Sequence, residues 1–303
     1  MQTVSVILTS YNAAGTIRRT LESIFAQEGA GKLFDLDVIA VDDCSTDETV
    51  SILQQYPVRI FSTRQNSGGP NQGRNIGLTH AMGEYICFAD HDDQWVNNRV
   101  LLQLKAAPFG LVITGWHKTM DEKLGRVYEA RETSPAIKVY QPNEVFLMKL
   151  ARRRNTQKAH FGTIMIHHSL KHIRFEEQFG MVDYDWILNV FRNNPSVEVR
   201  KCIMIRHTHF NNLSMNYEFR KYNYYKSMMA MEAYEYDYPE LVAEGIRRLN
   251  GAHGRFHYLI GEMQKARRYF RRSVLNPVTL MYYMTSYAGA GIVKKNFRVS
   301  NGS

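Results

Sequence analysis

Short apolar runs and helical repeats alternate through the first hundred residues. Residues 4–9 form a near-continuous apolar run, the pattern of a strand buried on both faces. Ile17, Leu21, Ile24 and Phe25 then recur at helical spacing within residues 16–27. Residues 37–41 read as a second strand. Ser45-Thr46-Asp47-Glu48 after it reads as a helix start, with hydroxyl caps and acids in the first turn. A third strand at 58–61, a helix at 70–82, a fourth strand at 85–89 and a helix at 96–105 complete the series. Such βα units predict an α/β fold, a mostly parallel sheet with helices on both faces. Ligands of these sheets collect at the carboxyl ends of the strands. Thr9, Asp42-Asp43 and Asp90–Asp93 all fall at such ends.

The pattern loosens beyond residue 110. Strands are predicted at 111–116, 161–167 and 197–207, helices at 143–150 and 183–193, and a polar excursion at 127–139. From Tyr217 the chain is helical and rich in Tyr, Met and Arg. The expected division is therefore a domain of residues 1–215 and a helical, basic region of residues 216–303.

Charge sharpens that division. The net charge is +9, and from Tyr217 onward 14 Lys and Arg stand against 7 Asp and Glu. After Glu262 there are eight basic residues and no acidic one. A basic end of this kind suits anionic lipid, an anionic acceptor or nucleic acid. The absence of a basic helix with a readable motif argues against nucleic acid. Residues 274–293 carry no charge, but their Asn, Pro, Thr, Ser and Gly make a poor spanning helix. Flanked by Arg271-Arg272 and Lys294-Lys295, the segment suits either a membrane interface or a packed helix with a solvated basic flank. It also leaves self-association open. The three cysteines lack any metal or disulfide spacing, and no signal peptide opens the chain. The expected location is the cytoplasm, with peripheral contact at the inner face of the cell membrane.

The candidate chemistry lies at the strand ends. Asp90-His91-Asp92-Asp93 puts three carboxylates at the mouth of a strand, and they repel one another unless a cation sits among them. A divalent metal holding a diphosphate is the economical answer, with Mn²⁺ or Mg²⁺ as the expected cofactor. Tyr11, within Thr9-Ser10-Tyr11-Asn12, has a flat face on which a base stacks, although an ordinary βα turn would carry the same residues. Asp42 and Asp43 suit a base N–H or a ribose hydroxyl, or the cap of the following helix. Asn66 and Gly68 begin a glycine-rich loop that lets backbone approach a ligand, and Arg74 behind it suits a phosphate or the base. Trp95 and Trp186 suit either an acceptor pocket or the core.

These segments, in this order, resemble the inverting family-2 glycosyltransferases with a GT-A fold. Cys44 stands where that family has glycine, Gly73 where it has alanine, and Ala89 and His91 where it has leucine and serine. Phe175-Glu176-Glu177 with Val182-Asp183-Tyr184-Asp185-Trp186 is similar to a later family signature, in which the aspartate matching Asp183 is the catalytic base. His209, spaced from Ser214 as in a third signature, matches a histidine that approaches the diphosphate or metal. The resemblance implies a nucleotide-sugar donor, UDP-linked by preference, contacted by Thr9, Tyr11, Asn12, Asp42, Asp43, Asn66, Gly68, Arg74, Asp90, His91 and His209. It implies metal contact at Asp92 and Asp93; Trp95, Trp186 and Asp185 are the acceptor-side candidates. The implied acceptor is a glycan or glycolipid of a bacterial surface polysaccharide of capsule or O-antigen type. A catalytically inactive sugar-binding or scaffold subunit is the alternative. Nucleotidyl transfer is disfavoured, because Thr9-Ser10-Tyr11-Asn12 stands where its glycine-rich arginine loop belongs.

Overall fold

A computed structural model of the chain describes residues 1–122, 125–128, 135–153, 156–178, 183–208, 217–274 and 276–289. It divides into two compact units: Met1–Phe146 with Asn155–Phe219, and Leu147–Arg154 with the residues from Arg220 onward.

The first unit holds one sheet of ten strands: β1 (Gln2–Ser10), β2 (Phe34–Asp42), β3 (Arg59–Ser62), β4 (Tyr85–Asp90), β5 (Gln94–Trp95), β6 (Val112–Asp121), β7 (Arg126–Tyr128), β8 (Ile137–Tyr140), β9 (Met165–His167) and β10 (Ser196–Thr208). The order is β3-β2-β1-β4-β9-β6-β10-β5, with β7 on β6 and β8 on β10. The expected parallel arrangement runs from β3 to β4. The other half is mixed, because β9 runs antiparallel to both β4 and β6.

Helices α1 (Ile17–Phe25), α2 (Thr49–Leu53), α3 (Asn71–His80), α4 (Arg99–Ala106), α5 (Glu144–Leu150) and α6 (Tyr184–Phe191) follow in chain order. Ile17, Leu21 and Ile24 of α1 share one core with Val4, Val6 and Leu8 of β1 and Val38 and Ala40 of β2. On α3, a Cβ at Gly77 would lie 2.3 Å from Ile7 Cγ2, and one at Gly73 would lie 3.1 Å from Thr9 Cγ2. Two glycines four residues apart thus let α3 rest directly against β1.

Three local expectations shift, each for a long-range or side-chain reason. The helix after β2 begins at Thr49 rather than Ser45. Ser45 gives its N–H and hydroxyl to the Asp42 carboxylate, and Asp47 accepts the N–H and hydroxyl of Thr49. Of the strand expected over 161–167, only Met165–His167 pairs, and Phe161–Thr163 forms a 3₁₀ turn before it. The polar excursion contains β7 and the start of β8, which gain their pairing from β6 and β10.

The second unit contains α7 (Tyr217–Glu232) from Arg220 on, α8 (Pro239–Leu259), α9 (Met263–Phe270) and α10 (Pro277–Thr285). Tyr258, Ala266, Phe270 and Tyr282 form its core cluster. No helix among the described residues is long and apolar enough to cross a membrane. Buried in this unit, His257 lies with Nδ1 2.6 Å from Glu262 Oε2 and Nε2 3.1 Å from His253 Nε2. His253 stacks on Tyr224 at 4.3 Å.

Burial, then the neighbouring His257 and Arg220, push His253 down from 6.5 to about 4. The unfolded chain therefore binds a proton that the fold refuses between those values. Stability from this residue is complete above pH 6.5 and is lost as the pH falls toward 4. The expected slope is up to about 1.4 kcal/mol per pH unit. Urea unfolding at pH 7.5 and pH 5 should show a smaller pH dependence for His253→Gln than for wild type; an equal dependence would refute this account.

Candidate active site

Strand register assembles the site. In the parallel pairing of β1 with its neighbours, Thr9 aligns with Asp90 on one side and Ser10 with Asp42 on the other. Asp42 aligns in turn with Ser62 at the end of β3. Three stretches separated by some 30 to 50 residues thus end on one edge, where strand carboxyl ends meet loops.

On the β1–β2 side, most predicted donor residues hold the loops together. Asn12, at φ +45°, accepts the Thr46 N–H at 2.8 Å and gives its own N–H to Ser45 Oγ at 2.9 Å. Asp42 is committed to Ser10 and Ser45. The buried Asp43 carboxylate accepts from the Thr63 hydroxyl at 2.7 Å and from the N–H and hydroxyl of Ser67 at 3.0 Å. Asn66 donates to the Asp43 carbonyl at 3.2 Å and accepts the Gly68 N–H at 3.1 Å. Gly68 adopts φ +77° and is exposed. Cys44, at φ +61°, occupies a left-handed conformation that glycine adopts without strain, which accounts for the glycine of the resembled family there. Tyr11 is 46% exposed above this frame. An aromatic face at the strand mouth is available to a ligand.

The acidic turn after β4 is held from beneath by one polar stripe along α1 and the residues flanking it. Thr16 contacts His91 Nδ1 at 3.3 Å, and the Thr20 hydroxyl lies 2.9 Å from the His91 carbonyl and 2.8 Å from that of Asp93. Ser23 accepts the Trp95 N–H at 3.0 Å, and Gln27 donates to the Val96 carbonyl at 2.9 Å. Arg19 reaches the Asp92 carbonyl at 3.3 Å. This stripe was missed in the sequence, yet it left a signal: Thr16, Thr20, Ser23 and Gln27 repeat at helical spacing beside the apolar stripe. His91 faces Thr16, not its acidic neighbours.

Arg74 pairs with Asp90 at 3.0 Å, donates to Asn71 Oδ1 at 3.2 Å, and lies 3.7 Å above the Phe161 ring. It is buried, so its direct partner is Asp90. Asp93 is buried too. Burial first, then Asp90 and Asp92, push its carboxyl well up, while Arg206 and Arg99 oppose the shift. A Cβ at Gly162 would sit 3.1 Å from Asp93 Oδ2, so the glycine keeps that carboxylate's room. Arg99 carries no mark in the sequence, where a lone cation in a helix looks like any other; Arg206 stands one residue before the position at which the resembled family has its arginine. Among the described residues, no three His, Cys, Asp or Glu side chains are grouped to hold a metal by themselves. The like-charged turn nonetheless fits a cation that completes its coordination with ligand oxygens.

An aromatic stack connects β4 to the start of α6. Phe88, on the same face of β4 as Asp90, meets Trp186 edge-on at 5.2 Å. Trp186 stacks on Phe175 at 4.5 Å and donates its indole N–H to the Ile173 carbonyl at 3.0 Å. Asn75 of α3 clamps Phe175, accepting its N–H and donating to its carbonyl, both at 2.9 Å. Asp183 begins α6 three residues before Trp186 and accepts the Ile187 N–H through its carbonyl at 2.9 Å. Burial above all raises the Asp185 carboxyl, opposed by the backbone N–H groups of Trp186 and of Asp185 itself and aided by the charges of Glu176 and Asp183. The acceptor-side expectation for Trp95 and Trp186 is corrected here: both are buried, Trp186 in this stack and Trp95 3.7 Å beneath the Arg99 guanidinium. Their size fills the core instead of a pocket. His209 lies outside the described residues.

Comparison with known proteins agrees with this architecture. Residues 5–176, more than half of the chain, match the family described as Glycosyl transferase family 2. The chain belongs to that family. It is similar over 105 residues, at 37% identity, to the poly(ribitol-phosphate) beta-N-acetylglucosaminyltransferase TarS of Staphylococcus aureus (strain Mu50 / ATCC 700699), covering 33% of this chain and 18% of TarS. It is 39% identical over 107 residues to the putative teichuronic acid biosynthesis glycosyltransferase TuaG of Bacillus subtilis (strain 168), covering 34% of this chain and 40% of TuaG. WfaP of Escherichia coli, a UDP-Glc:alpha-D-GlcNAc-diphosphoundecaprenol beta-1,3-glucosyltransferase, is 36% identical over 106 residues, covering 34% of this chain and 41% of WfaP. These matches therefore span less than half of each relative. The crystal structure of S. aureus TarS 1-349 in complex with UDP aligns with 98% of this chain and 91% of its own, at a TM-score of 0.63 and 20% identity. The fold is the GT-A fold expected from the sequence.

Proposed function

We propose that the chain is a metal-dependent inverting glycosyltransferase. It transfers a sugar from a nucleotide-diphosphate donor, UDP-linked by preference, to a hydroxyl of a growing, lipid-linked surface glycan of capsule or O-antigen type. The observation that carries the reading is the convergence, by strand register, of Thr9, Asp42 and Asp90 on one edge. The aromatic stack that ties β4 to the start of α6 adds Asp183 to the argument. The names of TarS and WfaP support it by analogy: one is a beta-N-acetylglucosaminyltransferase, the other takes UDP-Glc and forms a beta linkage. The basic C-terminal region is read as a peripheral contact with the inner membrane face.

In this mechanism Tyr11 covers the base, and Asp42 and Asp43 shape its pocket by fixing the loops around it. Arg74 holds Asp90 in place. Asp92, with Asp93 behind it, would hold Mn²⁺ or Mg²⁺ together with the donor diphosphate, and the resemblance gives His209 a role toward the diphosphate or the metal. The cation supplies Lewis-acid stabilisation of the diphosphate charge. Asp183 takes the acceptor hydroxyl proton as that oxygen attacks the anomeric carbon. The bond to the diphosphate oxygen breaks on the opposite face, and its electron pair leaves with the nucleotide. Asp185 is assigned to the acceptor side.

Incubation with a panel of nucleotide sugars and Mn²⁺, monitoring slow hydrolysis, identifies the donor. UDP with Mn²⁺ should raise the unfolding temperature. No protection by any nucleoside diphosphate with metal removes this reading.

A further inference from the structure

Helix α10 is inside out. Thr279 and Ser286 point inward with Tyr282, while Leu280, Met281, Met284 and Tyr287 are exposed, the last two at 64% and 63%. These four positions, spaced i, i+1, i+4 and i+7, form one stripe along the helix and the turn that follows it. Ordinary surface helices turn the opposite residues to water. Among the described residues no element covers this stripe, while Tyr258, Ala266 and Phe270 hold the inward face.

The stripe has a basic border. Arg267 donates to the Ser286 carbonyl at 2.8 Å and lies 4.5 Å over the Tyr287 ring. Arg271 lies 3.4 Å from the Tyr283 hydroxyl, and Arg268 and Arg272 are exposed on the same short segment. Residues 263–289 contain five Lys and Arg and no Asp or Glu. An apolar stripe beside a one-sign basic border complements an anionic bilayer: methionine and leucine enter the acyl boundary, tyrosine stays at the headgroup level, and arginine meets phosphate. Another protein's surface would require matching acids and a shaped cavity. A fluid anionic interface requires neither.

We infer that the outward face of α10, bordered by the arginines of α9 and of the turn after it, is an interfacial anchor for anionic phospholipid. This deepens the membrane contact proposed above by naming its residues and its lipid class. It is separable from the transfer reaction, because none of these residues belongs to the candidate active site.

The test is co-sedimentation of the full chain with phosphatidylglycerol/phosphatidylcholine vesicles and with pure phosphatidylcholine vesicles, alongside donor hydrolysis and light scattering. Wild type is expected to bind the anionic vesicles in preference, and less so at high salt. Leu280→Glu with Met284→Glu should weaken that binding about tenfold. Arg268→Gln with Arg272→Gln, which leaves every buried residue in place, should weaken it roughly tenfold as well. Donor hydrolysis should stay at the wild-type rate in both. Wild-type indifference to anionic vesicles, or unchanged binding by both variants, overturns the inference. So does a concentration-dependent dimer that the Leu280→Glu, Met284→Glu variant abolishes, since the stripe is then a contact between copies of this chain. Loss of hydrolysis in wild type instead strikes the transferase reading and leaves vesicle binding to be judged by itself.

Discussion

Asp183→Asn is expected to slow sugar transfer by ~10²–10⁴-fold while leaving donor and metal binding near wild type. Asparagine keeps the shape of the side chain and removes its ability to take a proton. The α6 start should persist, because Asp183 contributes a main-chain carbonyl to the first turn and no side-chain cap. Trp186 and Phe175 hold the helix in place independently of the carboxylate. Asp185 is the rival base, since burial and its acidic neighbours raise its carboxyl, the direction that suits proton abstraction near neutrality. The comparison is therefore a pair. If Asp185→Asn abolishes transfer and Asp183→Asn does not, the base has been assigned to the wrong carboxylate. If Asp183→Asn loses UDP binding as well, the residue holds the donor and the base is elsewhere.

Arg74→Met should destabilise the first unit by about 3 kcal/mol, the lower end for a broken buried pair because the Asp90 side chain is 29% exposed. Methionine fills much of the same volume above Phe161, so the loss is chiefly electrostatic. Asp90 is left without its cation beside Asp92 and Asp93, and the turn that Thr20 pins by its carbonyls loses its fixed wall. Donor affinity should fall with stability. Arg74→Lys should recover only part of both, since a point charge cannot reach Asp90 and Asn71 together while lying flat on the ring. Chemical denaturation and UDP–Mn²⁺ titration measure the two effects. Wild-type stability and affinity in Arg74→Met would mean that Asp90 needs no such partner.

The two variants also separate what could be read along the chain from what could not. The parallel half of the sheet was legible because each of its strands is an apolar run ending in polar residues, and the chain supplies a helix between successive strands. The acidic turn was legible for the same reason. Its fastening was harder to see: Thr16, Thr20, Ser23 and Gln27 resemble a solvated helix face until the fold sets residues 91–96 against them. Asp42 and Asp43 show a related ambiguity. A carboxylate at a strand end serves a ligand or a turn equally well in one dimension. Ser45, Thr63 and Ser67 claim these two only once the loops close.

The linear pattern was enough for the α/β class, the sheet edge that gathers the acids and the basic character of the far end, because strand alternation, helical spacing and charge are local properties. Pairing between distant stretches decided the rest. It buried Trp95 and Trp186, turned Arg74 toward Asp90, surrounded Asp93 with Arg99 and Arg206, and left an apolar stripe of α10 facing outward. Burial and electrostatic partnership depend on which side chains meet across the fold, and such meetings have no local signature.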